Sequence, residues 1–440
     1  MKKRVVQWSP PQLLVVIFVF FSTLGMFLLK LPFATVGGIT MLDALFTAVS
    51  AMTVTGLIVV DTGSVFTLFG EVVIMCLIQI GGLGIMSFAV LIFMMIGKKI
   101  GFRERLLIQQ ALNQTSVGGV IKLVKYLFVF SFTVEAAAVV LLAVEWVPEY
   151  GWGRGLYVSL FHSISAFNNA GFSIWPDSLM GYAGNPTVNI VISSLFIIGG
   201  IGFTVLVDLY KTRSFRKLSL HTKIMLWGTL IINTAAMIIL FILEFNNPHT
   251  LANLSLFDKL QAAYFSAVTP RTAGFNSLDY ASMERDSILL TILLMFIGAG
   301  SASTGGGIKL TTFVVISLSA LAFLKEKREI RLFRRTISEF HIFKALAVSM
   351  MSIFLVFTAL FILNISEKGT DFLPVLFEVV SAFGTVGLSM GITGSLTEIG
   401  KSVIIVVMFI GKLGPLTLAF SLSKPDKEKI RYPKEDILTG

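Results

Sequence analysis

The sequence predicts an all-α polytopic membrane protein in which eight transmembrane helices form four helix–re-entrant pore loop–helix repeats around a pseudo-fourfold pore. Three observations carry that prediction. Hydrophobic residues make up 55% of the 440 residues and charged ones 14%, with a mean hydropathy of +0.86, whereas soluble domains are about 25% charged. Eight apolar stretches lie at 11–33, 66–97, 122–146, 187–210, 222–244, 287–323, 345–365 and 401–422, each near or above the ~20 residues of a spanning helix. Finally, an aromatic residue is followed ten positions on by glycine and an apolar residue in four gapless segments: Phe46–Gly56–Leu57, Phe161–Gly171–Phe172, Tyr264–Gly274–Phe275 and Phe377–Gly387–Leu388.

The repeats divide the chain at 1–105, 106–218, 219–340 and 341–440, the last including a C-terminal tail. In the first, stretch 11–33 runs straight into the repeat pattern without an A-x-A-like cleavage site, so it reads as a retained helix and not a signal peptide. A short helix Leu42–Met52 follows, then the return Thr53-Val54-Thr55-Gly56 and the inner stretch 66–97. The second repeat places Tyr157–Phe167 and Asn168-Asn169-Ala170-Gly171 between its two spans. The third places Leu260–Pro270 and Arg271-Thr272-Ala273-Gly274 there, and the fourth Leu373–Phe383 and Gly384-Thr385-Val386-Gly387. Pro374 suits the first turn of that last short helix, where its missing N–H has no intrahelical partner to lose. A ten-residue helix is about 15 Å long, half of a hydrocarbon core. These segments therefore enter the membrane and return.

Non-helical backbone at membrane depth survives only where protein buries it or water wets it. Four returns at one depth would aim their carbonyls at a common axis. Rings of carbonyl oxygen replace the hydration shell of a bare monovalent cation, and four helix C-termini add negative potential beside them. Glycine fits each turn because it takes φ > 0 freely.

The inner stretches carry a second recurrence: Ile80-Gly81, Ile198-Gly199, Ile297-Gly298 and Ile410-Gly411, with a further glycine three positions on at Gly84, Gly202 and Gly414. Two readings stay open, close helix packing and a narrow, flexible waist below the filter. The third inner stretch is broken by Gly298-Ala299-Gly300-Ser301-Ala302-Ser303-Thr304-Gly305-Gly306-Gly307-Ile308-Lys309. Each glycine costs a helix about 1 kcal/mol relative to alanine, so this segment predicts an intramembrane loop under the filter, placed to act as a gate.

Most of the 35 Lys and Arg fall at Lys2–Arg4, Lys98–Arg105 with Lys122 and Lys125, Lys211–Lys223, Lys325–Lys344 and Lys424–Lys434. These clusters lie on alternate sides of the spans, which marks one face as cytoplasmic, with both termini inside. The net charge of +10 is thus a topology signal, not a nucleic-acid footprint. Cys76, the sole cysteine, reads as core filler and excludes an intrachain disulfide. His162, His221, His249 and His341 are scattered without metal-ligand spacing. The alternative, a polytopic membrane enzyme with catalytic re-entrant hairpins, needs a Ser/His, paired Asp or metal constellation. His162 and Ser163 are adjacent, and adjacent helical residues do not face one another.

Among single charges, Lys412 sits mid-span, where an ionisable residue is costly; it reads as a pore charge below the filter, or as the partner of a carboxylate behind it. Arg271 would block cations if it pointed inward, so we expect a brace pointing away, with Glu378 as a candidate partner. Lys309 would line or abut the gate. Asn168 and Asn169 are candidates to act through side chains as well as carbonyls.

The segments Thr53–Leu57, Ser165–Phe172, Thr269–Phe275 and Ser381–Leu388, with Ile410-Gly411-Lys412-Leu413-Gly414-Pro415-Leu416-Thr417, make the chain resemble the Ktr/Trk/HKT superfamily of potassium transporters over essentially its whole length. The likeness is greatest to the membrane subunits of bacterial Ktr systems. This resemblance implies inward K⁺ permeation, with K⁺ as substrate ion, Na⁺ as a stimulating ion and no covalent cofactor. It further implies a homodimer with one pore per subunit in a bacterial cytoplasmic membrane. Beneath it would sit a cytosolic ring of RCK-type regulatory subunits that bind ATP or ADP. Plant relatives with serine at the first filter glycine favour Na⁺, so Gly56 points to K⁺. The segment 298–309 matches the family's intramembrane gate.

Overall fold

The computed structural model of the protein describes residues 10–84, 120–301, 303–327, 329–415 and 435. Apolar runs that begin at small polar residues set its helices. Thr40, Asn185, Ser219, Ser255 and Thr397 each accept a backbone N–H from the first turn they precede, satisfying one of the unpaired donors of a helix start. In chain order the helices are α1 (Pro10–Leu29), α2 (Met41–Met52), α3 (Thr62–Val65), α4 (Leu68–Leu83), α5 (Val120–Phe167), α6 (Pro186–Ile201) and α7 (Phe203–Lys211). They continue as α8 (Leu220–Glu244), α9 (Leu256–Val268), α10 (Arg285–Phe296), α11 (Leu310–Leu324), α12 (Glu339–Ser366), α13 (Phe372–Gly384) and α14 (Glu398–Leu413). Between α11 and α12, β1 (Arg331–Leu332) and β2 (Arg335–Thr336) form an antiparallel hairpin. Its turn residues Phe333 and Arg334 sit at φ 49° and 62°.

Four of these helices are long and apolar enough to cross a membrane, at Gln12–Leu29, Val124–Phe167, Leu220–Glu244 and Glu339–Ser366. A fifth span results if α6 and α7, bent by 91°, are joined. Of the eight spans expected from hydropathy, the third inner one was expected to be broken; among the described residues all four inner stretches leave the helix. Stretch 66–97 ends its helix at Leu83 and stretch 187–210 breaks at Gly202. Stretch 287–323 is non-helical from 297 to 309, and stretch 401–422 leaves its helix after Leu413. Residues 85–97 and 416–422 lie outside the described residues. In three of the four the physical reason is shared. Gly84, Gly202 and Gly414 adopt φ/ψ of 86°/129°, 101°/136° and 84°/136°, a backbone state outside the helix that only glycine takes without strain.

Helix α5 joins an outer helix to a short one. Gly151, at φ 79° and ψ 166°, breaks it just after Pro148, so 120–150 and 152–167 point in different directions. The aromatic residues of the recurring motif anchor the short helices in the core: Phe46, Phe161 and Phe377 are fully buried, and half-buried Tyr264 donates to Ser193 Oγ at 3.2 Å. Cys76 is not core filler but exposed; it shares an outward face of α4 with exposed Val72, four residues earlier.

Candidate functional site

The short helices α2, 152–167, α9 and α13 all end inside the protein, and each gives way to an irregular return. Helix α9 stops at Val268, two residues before the Pro270 expected from sequence. In every return the residue two before the glycine is left-handed: Val54 at φ 50°, Asn169 at 58°, Thr272 at 72° and Thr385 at 49°. The glycines are left-handed too, with Gly56 at 89°, Gly171 at 67°, Gly274 at 80° and Gly387 at 93°. Intervening Thr55, Ala170, Ala273 and Val386 are not. Carbonyls alternate sides along an ordinary strand. Inverting every second residue cancels that alternation, so successive carbonyls can face one way. Holding β-branched Val54, Thr272 and Thr385 in this state costs of order 1–3 kcal/mol each.

The four glycines close a ring. A methyl built on Gly56 would lie 2.3 Å from the Ala170 carbonyl oxygen and 3.1 Å from Gly171 Cα. One on Gly171 would lie 2.9 Å from Gly274 Cα, and one on Gly274 2.2 Å from the Val386 oxygen. One on Gly387 would lie 2.2 Å from the Thr55 oxygen and 3.0 Å from Gly56 Cα. The order around the ring is the order in the sequence.

Hydroxyl groups that sequence reasoning missed hold these turns. Ser50 Oγ accepts the Gly56 N–H and Ser381 Oγ the Gly387 N–H, both at 3.1 Å. Ser165 Oγ donates to the Phe172 carbonyl at 2.7 Å, and Thr269 Oγ1 to that of Phe275 at 2.8 Å. The available signal was a serine six positions before the glycine in three repeats.

The Ile-Gly glycines resolve as close-packing positions. Methyls on Gly81, Gly199 and Gly411 would lie 1.9, 2.0 and 2.1 Å from the carbonyl oxygens of Met52, Phe167 and Phe383, the ends of three short helices. This supports the packing reading of those pairs; the interruptions fall three residues later. Gly298 differs and faces the Gly306 oxygen.

Asn168 and Arg271 reach surrounding helices, and Asn169 reaches both a helix and the 297–309 loop. Asn168 Nδ2 donates to Gln79 Oε1 at 2.7 Å, and Gln79 Nε2 to both Glu135 oxygens at 3.0 and 3.1 Å. Asn169 Nδ2 donates to the Phe196 carbonyl at 3.0 Å while its Oδ1 accepts from Thr304 Oγ1 at 2.7 Å. Arg271 Nη1 donates to Asn233 Oδ1 at 3.1 Å. Glu378, the partner proposed from sequence, instead accepts from Thr393 at 2.5 Å and Ser389 at 2.8 Å. Among the described residues it forms no ion pair with Arg271. Asp43 pairs with Lys401 at 2.8 Å.

Residues 297–309 fold as a buried loop across the third and fourth returns. Ile297 and Ile308 form a parallel bridge, with Gly298 N–H donating to the Ile308 carbonyl at 2.8 Å. Gly306 N–H donates to Thr385 Oγ1 at 2.8 Å, and a methyl on Gly305 would lie 2.2 Å from Thr272 Oγ1. Gly300 N–H reaches the Gly200 carbonyl at 2.8 Å and Gly307 N–H that of Gly411 at 3.3 Å. Ser301 Oγ approaches Thr311 Oγ1 at 3.4 Å, and Ser303 Oγ is buried with no partner. Ala299 is buried, while Ala302 lies outside the described residues. Two ammonium groups hold the loop's carbonyls: Lys309 Nζ donates to Gly305 O at 2.6 Å, and Lys412 Nζ donates to Thr304 O. Among the described residues Lys412 has this carbonyl, not a carboxylate, as its partner.

Comparison with known proteins agrees over the whole chain. A family model described as TrkH, cation transport protein, matches residues 13–431. The chain is 59% identical over 442 residues to Ktr system potassium uptake protein B of Bacillus subtilis, covering 100% of this chain and 99% of that protein. It is 45% identical to the protein of the same description from Vibrio alginolyticus, with 94% and 91% covered. It is 39% identical to the potassium/sodium uptake protein NtpJ of Enterococcus hirae, with 100% and 99% covered. The crystal structure of the potassium transporter TrkH from Vibrio parahaemolyticus superposes with a TM-score of 0.76 at 21% identity, covering 96% of this chain and 86% of that one. At that identity the likeness is one of fold.

Proposed function

Because this chain belongs to the TrkH family of cation transport proteins, we propose that it is the ion-translocating subunit of a potassium uptake system in a bacterial cytoplasmic membrane. Its relatives are transporters and not enzymes, and a catalytic reading is set aside. The observation that carries the proposal is the closed ring of glycine turns. In each turn, alternate left-handed residues free successive carbonyls to face one side. In this reading the returns 53–56, 168–171, 271–274 and 384–387 form a selectivity filter at the centre of four pseudo-symmetric repeats. K⁺ sheds water there and is coordinated by backbone oxygen. The C-terminal ends of the four short helices lower its energy further.

Below the filter, the loop 298–309 obstructs the path and acts as the gate. Lys309 and Lys412 latch it through the carbonyls of Gly305 and Thr304, so opening requires those hydrogen bonds to be released. Lys412 also places a positive charge beside the path and limits cation occupancy below the filter. One glycine per return, with no aromatic-flanked pair, gives modest discrimination, so Rb⁺ also enters. The subunit works as a homodimer with both termini cytoplasmic. A cytosolic RCK-type ring that binds ATP or ADP drives the gate, a reading supported by relatives named as parts of Ktr systems. Stimulation by Na⁺ is supported by the relative named for both potassium and sodium.

The test is ⁸⁶Rb⁺ flux into liposomes holding the purified chain, with and without Na⁺, paired with growth rescue of a K⁺-uptake-deficient cell at low K⁺. Flux that K⁺ competes away and that Na⁺ raises is the expected result. Absence of both flux and rescue at verified membrane insertion would refute the assignment.

A further inference from the structure

Arg271 is buried, and its side chain's one hydrogen bond among the described residues runs from Nη1 to Asn233 Oδ1 at 3.1 Å. The ion pairs of the described residues are Arg331–Glu329 and Lys401–Asp43, so no carboxylate there neutralises it. A guanidinium stays protonated in proteins, and burying a charge without a partner costs several kcal/mol. Its Nε–H is buried without an acceptor.

Beside this group lies a cavity lined by Arg271, Thr229, Asn233, Gly200, Ile201 and Ala299 among others. Thr229 Oγ1 is a second buried polar atom with no partner. Elsewhere mid-helix hydroxyls turn back on their own helix: Thr291 donates to Ser287 O and Thr358 to Phe354 O, both at 2.8 Å. Thr229 is one of several buried helix hydroxyls that depart from this arrangement, and the one among them that lines this cavity. Thr229 and Asn233 are four residues apart on α8 and share a face. The cavity leaves about 20 Å³ for the centre of a water-sized guest, against the roughly 10–15 Å³ that admits one.

We propose that this cavity binds a small monovalent anion of the chloride class as the buried counter-ion of Arg271. A water molecule could accept the two orphaned donors but would leave the charge standing. An anion accepts from both and neutralises the guanidinium. Arg271 lies three residues before Gly274, and Ala299 belongs to the loop beneath it. A bound anion there therefore offsets a positive charge beside the third return, which would otherwise oppose any cation at that level of the ring.

The experiment replaces chloride by bromide during purification and crystallisation of the full chain and locates the ion by anomalous scattering. A bromide peak within hydrogen-bond reach of Arg271 Nε and Thr229 Oγ1 is expected. Thr229→Val should weaken it by about tenfold in affinity, the loss of one hydrogen bond to a charged group. A cavity without anomalous signal in the wild type overturns the proposal, and so does a peak undiminished in both Thr229→Val and Arg271→Gln. If the variants fail to fold, the wild-type peak still decides. This readout needs no flux, so it stands or falls apart from the potassium assignment. As a second measurement, Rb⁺ uptake should slow several-fold when gluconate replaces chloride on both sides; equal uptake would overturn the charge-offset role.

Discussion

A methyl group added at Gly171 would meet Gly274 Cα at 2.9 Å on a backbone already at φ +67°. Gly171→Ala thus combines a left-handed alanine, at least ~1 kcal/mol, with a backbone clash. We expect loss of Rb⁺ uptake and a lower melting temperature of the detergent-solubilised protein, and wild-type values of both would refute the ring geometry. Ser50→Ala removes the acceptor of the Gly56 N–H and leaves a buried donor unpaired, at about 1–3 kcal/mol. Its signature is a fall in K⁺ over Na⁺ preference with the protein still folded, read as the ratio of competing ion fluxes. Gly56→Ser raises Na⁺ permeation relative to K⁺ by the same assay, and an unchanged ratio would count against the filter. The glycines were legible in sequence because positive φ and close approach leave glycine as the residue that fits. The hydroxyls were not, since a serine that caps a backbone turn looks like any serine in a helix. Arg271's true neighbour, Asn233, was equally hidden, because a pairing 38 residues apart leaves no periodic trace.

At the scale of elements, the interruptions at Gly84, Gly202 and Gly414 show what hydropathy misses. A hydropathy window counts composition, whereas a φ of 101° at the single residue Gly202 turns α6 from α7 by 91°. Gly202→Ala should straighten or unfold that junction at a cost of at least ~1 kcal/mol, measurable as a lower unfolding temperature. The 298–309 loop was legible by its helix-poor composition, but its latches were not. Lys412→Gln frees the Thr304 carbonyl, and we expect faster Rb⁺ uptake at matched expression. Uptake equal to wild type would show that the lysine does not restrain the loop.

Across the whole molecule, the alternation of long outer and short inward helices was readable from length and the fourfold motif. Where the inner stretches leave the helix was not readable, because interrupted stretches are as apolar as continuous ones. Membership of the family was readable too, since the motif residues cluster where the four returns meet. The ring is ordered as the chain is, and its last contact joins Gly387 to Thr55 and Gly56, more than 300 residues apart in sequence. A ribosome that stalls before the final quarter therefore releases a product whose enclosure stays open on one side. In the proposed reading such a fragment lacks the full ring of oxygens and conducts no K⁺.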